Sequence, residues 1–194
     1  MMTYDELIAS MFGIIFIVLM IKRNPWSWIT GNISVAIQAY SFYRVRLYAD
    51  MGLQIVYFVV GVYGFVLWMN QRVEADFVIR FLNQKDKIIL GTCGILFAVI
   101  LALILDSFTD AVIPYIDATL ASGSLIATYL QARKNMENWP LWILLNCSYG
   151  VLYATRGLWM YSALSVIFGI FAIIGWKEWK RYKFSKQELQ TIVL

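Results

Sequence analysis

Histidine is absent from these 194 residues, which removes the usual general base near neutral pH and the commonest metal ligand. Only two cysteines are present, Cys93 and Cys147. They lie in different hydrophobic segments without metal-ligand or redox spacing, so they read as small core residues and no disulfide framework is expected. No Gly-rich phosphate loop, nucleophile elbow or pair of catalytic carboxylates occurs. These absences argue against an enzyme, and neither a cofactor nor a metal site is expected; Asp106 and Asp110 read as solvated residues flanking a short loop. Charge is scarce as well, at 14% of residues.

What fills the chain instead is apolar: 61% hydrophobic residues and a mean hydropathy of +0.67. A soluble globule of that composition has too little polar surface to cover itself. The chain reads as an all-α integral membrane protein, because only a helix or a closed barrel satisfies its own backbone in hydrocarbon, and a helix needs about 20 apolar residues to cross. Seven windows qualify, near 5–21, 26–44, 49–70, 87–105, 111–132, 138–155 and 158–179. The first follows Asp5 and Glu6 rather than a basic stretch, and no small-residue cleavage site follows it, so no cleavable signal is expected.

Lys and Arg are retained on the cytoplasmic side of short loops. With seven spans, one side holds thirteen of them, including Lys22, Arg23, Arg133, Lys134 and Arg181, and the other holds Arg44, Arg46 and Arg156. The expected topology is an N-terminus outside and a C-terminus in the cytoplasm, across a bacterial inner membrane. The net charge of +4 is then a collar facing anionic lipid, with no nucleic-acid partner implied.

The sequence also repeats itself. Asp5, Ala9, Ser10 and Lys22 precede Asp117, Ala121, Ser122 and Lys134 by 112 positions; Trp28 and Asn32 precede Trp142 and Asn146 by 114; Gly64 and Trp68 precede Gly175 and Trp179 by 111. Two three-helix units joined directly would lie inverted, whereas one intervening helix restores a common orientation. The expected architecture is therefore 3+1+3 with parallel repeats, the signature of a transporter whose site lies between its repeats. The parts are 1–70 (first repeat), 71–107 (cytoplasmic loop and linker helix), 108–179 (second repeat) and 180–194 (cytoplasmic tail). The polar stretch Gln71 to Asp86 reads as the most mobile element.

Residues three and four apart share a helical face. The sixth window carries Trp139, Trp142, Asn146, Tyr149 and Tyr153 on one face, a surface suited to stacking on a flat ring and hydrogen-bonding its edge. The third window carries Asp50, Gln54, Tyr57, Gly61 and Gly64, and the fifth carries Asp117, Ala121, Ser124 and Thr128. At about 1.5 Å per residue, Ser124 and Asn146 lie roughly 10–12 Å into their helices, near the midplane. Blander readings apply to other residues. Trp26, Trp68, Trp159, Trp176 and Trp179 read as an interfacial belt, Asp5, Asp50 and Asp117 as helix caps, Asn32 and Asn146 as interhelical glue, and Gly61, Gly64, Gly169 and Gly175 as close-contact positions. No ionisable residue stands in the middle third of any span, which leaves a passive facilitator, a channel or a non-transporting membrane interaction protein.

The run Leu47 to Gln54 followed by Tyr63 and Gly64, and the stretch from Pro114 to Ala118 through Arg133, Lys134, Glu137 to Trp142, Asn146 and Arg156 to Leu158, resemble the PnuC family of vitamin transporters. The resemblance implies a SWEET-like 3+1+3 fold and energy-independent uptake of an unphosphorylated B-vitamin, trapped inside by a cytoplasmic kinase. It implies substrate contacts at Gln54, Tyr57, Asp117, Ser124, Trp139, Trp142 and Asn146, with Asp117 drawing a cationic ligand from outside. A homo-oligomer is compatible with it. Where the family pattern has Thr and Tyr, this chain has Ala121 and Ser165. Fewer hydroxyls favour a ligand with fewer of its own, so thiamine is expected, ahead of nicotinamide riboside and riboflavin.

Overall fold

The computed structural model describes residues 4–44, 48–70, 77–109 and 113–192. They form seven helices: α1 (Tyr4–Ile21), α2 (Trp26–Arg44), α3 (Tyr48–Asn70), α4 (Gln84–Phe108), α5 (Pro114–Ala132), α6 (Asn138–Thr155) and α7 (Trp159–Ile192). All three prolines stand at helix starts: Pro25 just before α2, Pro114 as the first residue of α5 and Pro140 in the first turn of α6. There the missing N–H has no intrahelical acceptor to lose. Asn83 starts α4 by accepting the Asp86 backbone N–H at 2.7 Å, three residues before the expected boundary. The expected tail instead continues α7 to Ile192, since 177–192 contains neither Gly nor Pro to stop it.

Among the described residues four helices are long and apolar enough to cross a membrane: α1, α3 from Met51, α4, and α7 as far as Lys186. Helices α2, α5 and α6 fall short because they carry the polar residues, and several of these, Ser34, Ser122, Ser124 and Thr128 among them, are buried in the protein. Polar groups that find partners inside the protein need not meet hydrocarbon.

The chain divides into two compact units. One comprises α1 to α3 as far as Ile79, together with 131–134 and 177–194; the other comprises 80–130 and 135–176.

In the first unit α2 packs against both α1 and α3. Ser34 Oγ donates to the Ala9 carbonyl at 2.7 Å. On the other side Asn32 lies against Gly61, and the Trp28 indole lies so close to Gly64 that a methyl there would come within 2.6 Å of the ring. The end of this unit that carries Arg23 and Lys134 is an aromatic cluster. Trp68 donates its indole N–H to the Ala132 carbonyl at 2.9 Å, and Trp179 donates to the Met20 carbonyl at 3.3 Å. Phe77 stands edge-on to both indoles, with centroid distances of 4.8 and 5.2 Å. Trp68 and Trp179 are thus buried, at 2% and 0% exposure, and are not belt residues; their N–H groups find backbone acceptors inside the protein. Trp26, Trp159 and Trp176 remain exposed, as a belt requires.

In the second unit Ser122 Oγ on α5 donates to the Gly94 carbonyl of α4 at 2.8 Å. Leu145 of α6 lies against Gly123 of α5, and the Trp139 ring of α6 covers Gly175 of α7. The stretch expected to be most mobile is held where it is described. The Met136 N–H donates to the Arg80 carbonyl at 2.9 Å, the Leu82 N–H donates to Glu137 Oε1 at 3.0 Å, and Lys87 pairs with the same carboxylate oxygen at 3.6 Å. Residues 71–76 of that stretch lie outside the described residues. Cys93 and Cys147 are exposed rather than part of a core; a thiol is apolar enough to sit on an outward helix face.

The local geometry also fixes the register of the duplication. Arg23 and Lys134 both adopt left-handed backbone, at φ 58° and 59°. Around them the same bonds recur: Arg23 N–H to Met20 and Asn24 N–H to Leu19 in one place, Lys134 N–H to Gln131 and Asn135 N–H to Leu130 in the other. This paired pattern closes a helix by a Schellman turn. The register is a constant 111 positions, from Ile21 and Ala132 through Arg44 and Thr155 to Tyr48 and Trp159. The counterpart of Trp28 is therefore Trp139, not Trp142, and Arg23, not Lys22, is the counterpart of Lys134.

Candidate substrate site

The polar face of α5 and the aromatic face of α6 meet in the second unit. Ser124 Oγ and the Tyr149 hydroxyl are 3.2 Å apart and hydrogen-bonded, with either oxygen able to donate. One turn on, Thr128 Oγ1 donates to the Ser124 carbonyl at 2.7 Å. This folds the Thr128 hydroxyl onto its own helix and leaves the Ser124–Tyr149 pair as the polar link between the helices. Leu120, Ala127 and Leu145 form the buried layer beneath, and Trp142 and Tyr149, both partly buried, pack against it. Tyr149 stacks on Tyr153, with centroids 5.8 Å apart and planes 17° apart. Tyr153 in turn lies 5.7 Å from Tyr161 of α7.

The expected residues separate into three groups. Ser124, Trp142 and Asn146 lie on this α5–α6 face. Asn146 donates its amide to the Trp142 carbonyl at 2.8 Å, and its Cβ side faces Gly169 of α7. Trp139 is on the same helix but is completely buried against Gly175. Asp117 sits in the first turn of α5, where its carboxylate faces the Arg156 guanidinium at 4.0 Å. The pairing offsets much of the negative charge that was to draw in a cation. Gln54 and Tyr57 lie on α3 in the other unit, both partly buried. Asp50 shared their sequence stripe, but its side chain lies outside the described residues.

Tyr149 was visible in the sequence stripe yet was not among the carried-over contacts, and the structure makes it the residue that binds Ser124 across the helix interface. The sequence signal was its position seven residues after Trp142, two turns along the same face. Ser165, where the family pattern has Tyr, donates its hydroxyl to the Tyr161 carbonyl at 2.9 Å. Ala121 is buried in α5 packing. Among the described residues no group of three or more acidic or cysteine side chains gathers as metal ligands.

The model of the nicotinamide mononucleotide transporter family matches residues 3–181. The nicotinamide riboside transporter PnuC of Escherichia coli K12 is 24% identical over 92% of this chain and 85% of its own length. The riboflavin/roseoflavin transporter RibM of Streptomyces davaonensis is 23% identical over 91% of this chain and 84% of its own length. Among solved structures, the crystal structure of the vitamin B3 transporter PnuC superposes with a TM-score of 0.75 at 22% identity, covering 94% of this chain and 83% of that one.

Proposed function

Since the chain belongs to the nicotinamide mononucleotide transporter family, that of the PnuC relatives, we propose that it carries an unphosphorylated aromatic vitamin across the membrane by facilitated, energy-independent passage, with nicotinamide riboside as the substrate. The observation that carries this reading is the hydroxyl pair Ser124–Tyr149 beside the Trp142 indole on two facing helices. An indole face attracts a cationic aromatic ring by about 0.5–2 kcal/mol, and paired hydroxyls suit the hydroxyl groups of a ribose. Relatives named for nicotinamide riboside and for riboflavin support a ribosyl or ribityl ligand. The expectation of thiamine rested on hydroxyls missing at positions 121 and 165. The Ser165 hydroxyl is engaged with its own helix, and the α5–α6 face keeps two hydroxyls between helices. Thiamine is accordingly the second candidate.

Trp142, Ser124, Asn146 and Tyr149, all of the second unit, are assigned to the ligand in this reading. Trp139 supports the helix packing, and Asp117 with Arg156 shapes an entrance. The repeated turn geometry at Arg23 and Lys134 supports the 3+1+3 arrangement. The basic excess around these turns supports a cytoplasmic placement, from which a kinase would trap the vitamin. The test is calorimetric titration of the purified protein with nicotinamide riboside, thiamine and riboflavin under identical conditions. Saturable binding of nicotinamide riboside is expected. Binding of thiamine alone would reverse the substrate assignment, and no saturable binding of any vitamin would favour a non-transporting interaction protein.

A further inference from the structure

The helix ends around Arg23 and Lys134 are joined by bonds that run reciprocally between the two repeats. Trp68, near the end of α3, donates to the Ala132 carbonyl at the end of α5. Trp179, its counterpart 111 positions on, donates to the Met20 carbonyl near the end of α1. Each helix closure then adds a cation held over a ring. Lys134 Nζ stands 4.4 Å from the Phe77 centroid and 5.6 Å from that of Trp68. The Arg23 guanidinium lies 4.0 Å over Tyr182 of α7. Both cations come from the residues with left-handed backbone, a conformation that costs a side-chain-bearing residue of order 1 kcal/mol and is ordinarily left to glycine. A glycine would relieve that cost and lose the cation. Lys134 is moreover only 4% exposed, and burying an ammonium is unfavourable unless something replaces its water.

We propose that Trp68 and Trp179 are the inner latch of the transport cycle: two indole-to-carbonyl bonds, backed by Lys134 and Arg23 on aromatic rings, that hold the basic end shut and must break together for solute to leave there. The inference rests on the transporter reading and adds to it the residues that gate. Each bond joins the third helix of one repeat to the first helix of the other, so the repeats cannot separate at this end with either bond intact. Both acceptors lie within the last helical turn, where carbonyls lack the i+4 donor of the helix interior; the Met20 carbonyl also accepts the Arg23 N–H of the closing turn at 2.9 Å and keeps that donor when the indole leaves.

The test places a reporter cysteine at Ala132, whose side chain is fully buried, in a background where Cys93 and Cys147 are alanine. Labelling by a membrane-impermeant maleimide is followed from the basic side and from the opposite side. Trp68→Phe and Trp179→Phe keep an aromatic ring in the cluster and delete the N–H donor together with one ring of the indole. Each should raise the labelling rate from the basic side at least about fivefold, the equivalent of one net hydrogen bond, and the double variant more. Unchanged labelling, or faster labelling only from the opposite side, overturns the latch. Should the Phe variants fail to fold, deuterium exchange of the unmodified protein decides: amides of 20–24 and 131–135 should exchange faster with nicotinamide riboside present on both sides than without it, and equal exchange overturns the proposal. Calorimetry on the unmodified protein separates the two readings. Faster labelling without vitamin binding would keep the latch and remove the transporter assignment, whereas vitamin binding with unchanged labelling would do the reverse.

Discussion

The two repeats share a scaffold and differ in what they place on it. Trp28 covers Gly64 in the first and Trp139 covers Gly175 in the second, and each first helix ends in the same left-handed turn. At the same register, however, Ser124, Thr128, Trp142 and Asn146 stand where the first repeat has Gly13, Ile17, Gly31 and Val35. Tyr149 bonds across to Ser124, whereas its counterpart Gln38 turns back to Ser34 Oγ on its own helix at 3.2 Å. The tryptophan–glycine contacts are thus the common frame, and the helix-to-helix polar bond differs: a hydroxyl pair, Ser124–Tyr149, in the second repeat and a serine-to-backbone bond, Ser34 to the Ala9 carbonyl, in the first.

The frame is broken most severely at its glycines. A Cβ at Gly175 would meet three atoms of the Trp139 ring, and one at Gly64 would meet the Trp28 ring. Neither indole has a free end to give way. Overpacking of this kind costs typically 1–3 kcal/mol, so Gly64→Ala and Gly175→Ala should both lower the melting temperature markedly in detergent, and by similar amounts. A large loss in one with none in the other would show that the two contacts are not equivalent. Next in size is the α5–α6 face proposed for the ligand. Trp142→Ala should weaken nicotinamide riboside binding at least fivefold, from the loss of about 1 kcal/mol of stacking and cation–π attraction. Trp139→Phe should leave binding near the wild-type value and act on stability instead. Calorimetry on the pair reads the division directly, and wild-type affinity in Trp142→Ala would remove the α6 face from the site.

Much of this frame was legible in the sequence. Hydropathy located seven helices with every boundary within three residues except the end of α7, which runs to Ile192, although among the described residues only four of them are long and apolar enough to cross a membrane; Gly64 with Trp68 and Gly175 with Trp179 gave the 111-residue offset at which the closing turns recur. Trp28 was matched with Trp142 because Trp139 and Trp142 are three apart and the pair Asn32 and Asn146 favoured the later one. Only the closing turns, where Arg23 and Lys134 adopt the same φ, settle that choice. Burial was the least legible property. Trp68 and Trp176 look alike in sequence, each an indole near a helix end, yet one is 2% and the other 40% exposed. What separates them is an acceptor carbonyl 64 residues away in the chain. On the α5–α6 face, the stripe on α6 was readable from its spacing, while the bond between Ser124 and Tyr149 depends on how two helices face each other.

That bond supports a sharper test of the asymmetry. Ser124→Ala and Tyr149→Phe each delete one partner of a partly buried neutral hydrogen bond, worth about 0.5–1.5 kcal/mol net. Each should reduce riboside affinity several-fold, and in a double-mutant cycle the combined variant should lose less than the sum, because the second deletion removes a partner already lost. Strict additivity would mean that the hydroxyls meet the ligand independently and not as a pair.

The smallest effect is expected at the opposite ends of the same helices, where the repeats again match. Asp5 pairs with Arg44 at 3.3 Å and Asp117 with Arg156 at 4.0 Å, each joining the start of a first helix to the end of the second helix of its own repeat. Partly exposed pairs of this length contribute about 0–1 kcal/mol and are screened by salt. Arg44→Gln should therefore move stability slightly and leave uptake unchanged. Arg156→Gln removes a similar pair but frees a carboxylate on the helix that carries Ser124. If Asp117 attracts the cationic ring, freeing it should raise the initial uptake rate at low ionic strength and lose the gain at high salt. An equal response of the two variants would place Asp117 in the frame with Asp5, and leave recognition to the α5–α6 face alone.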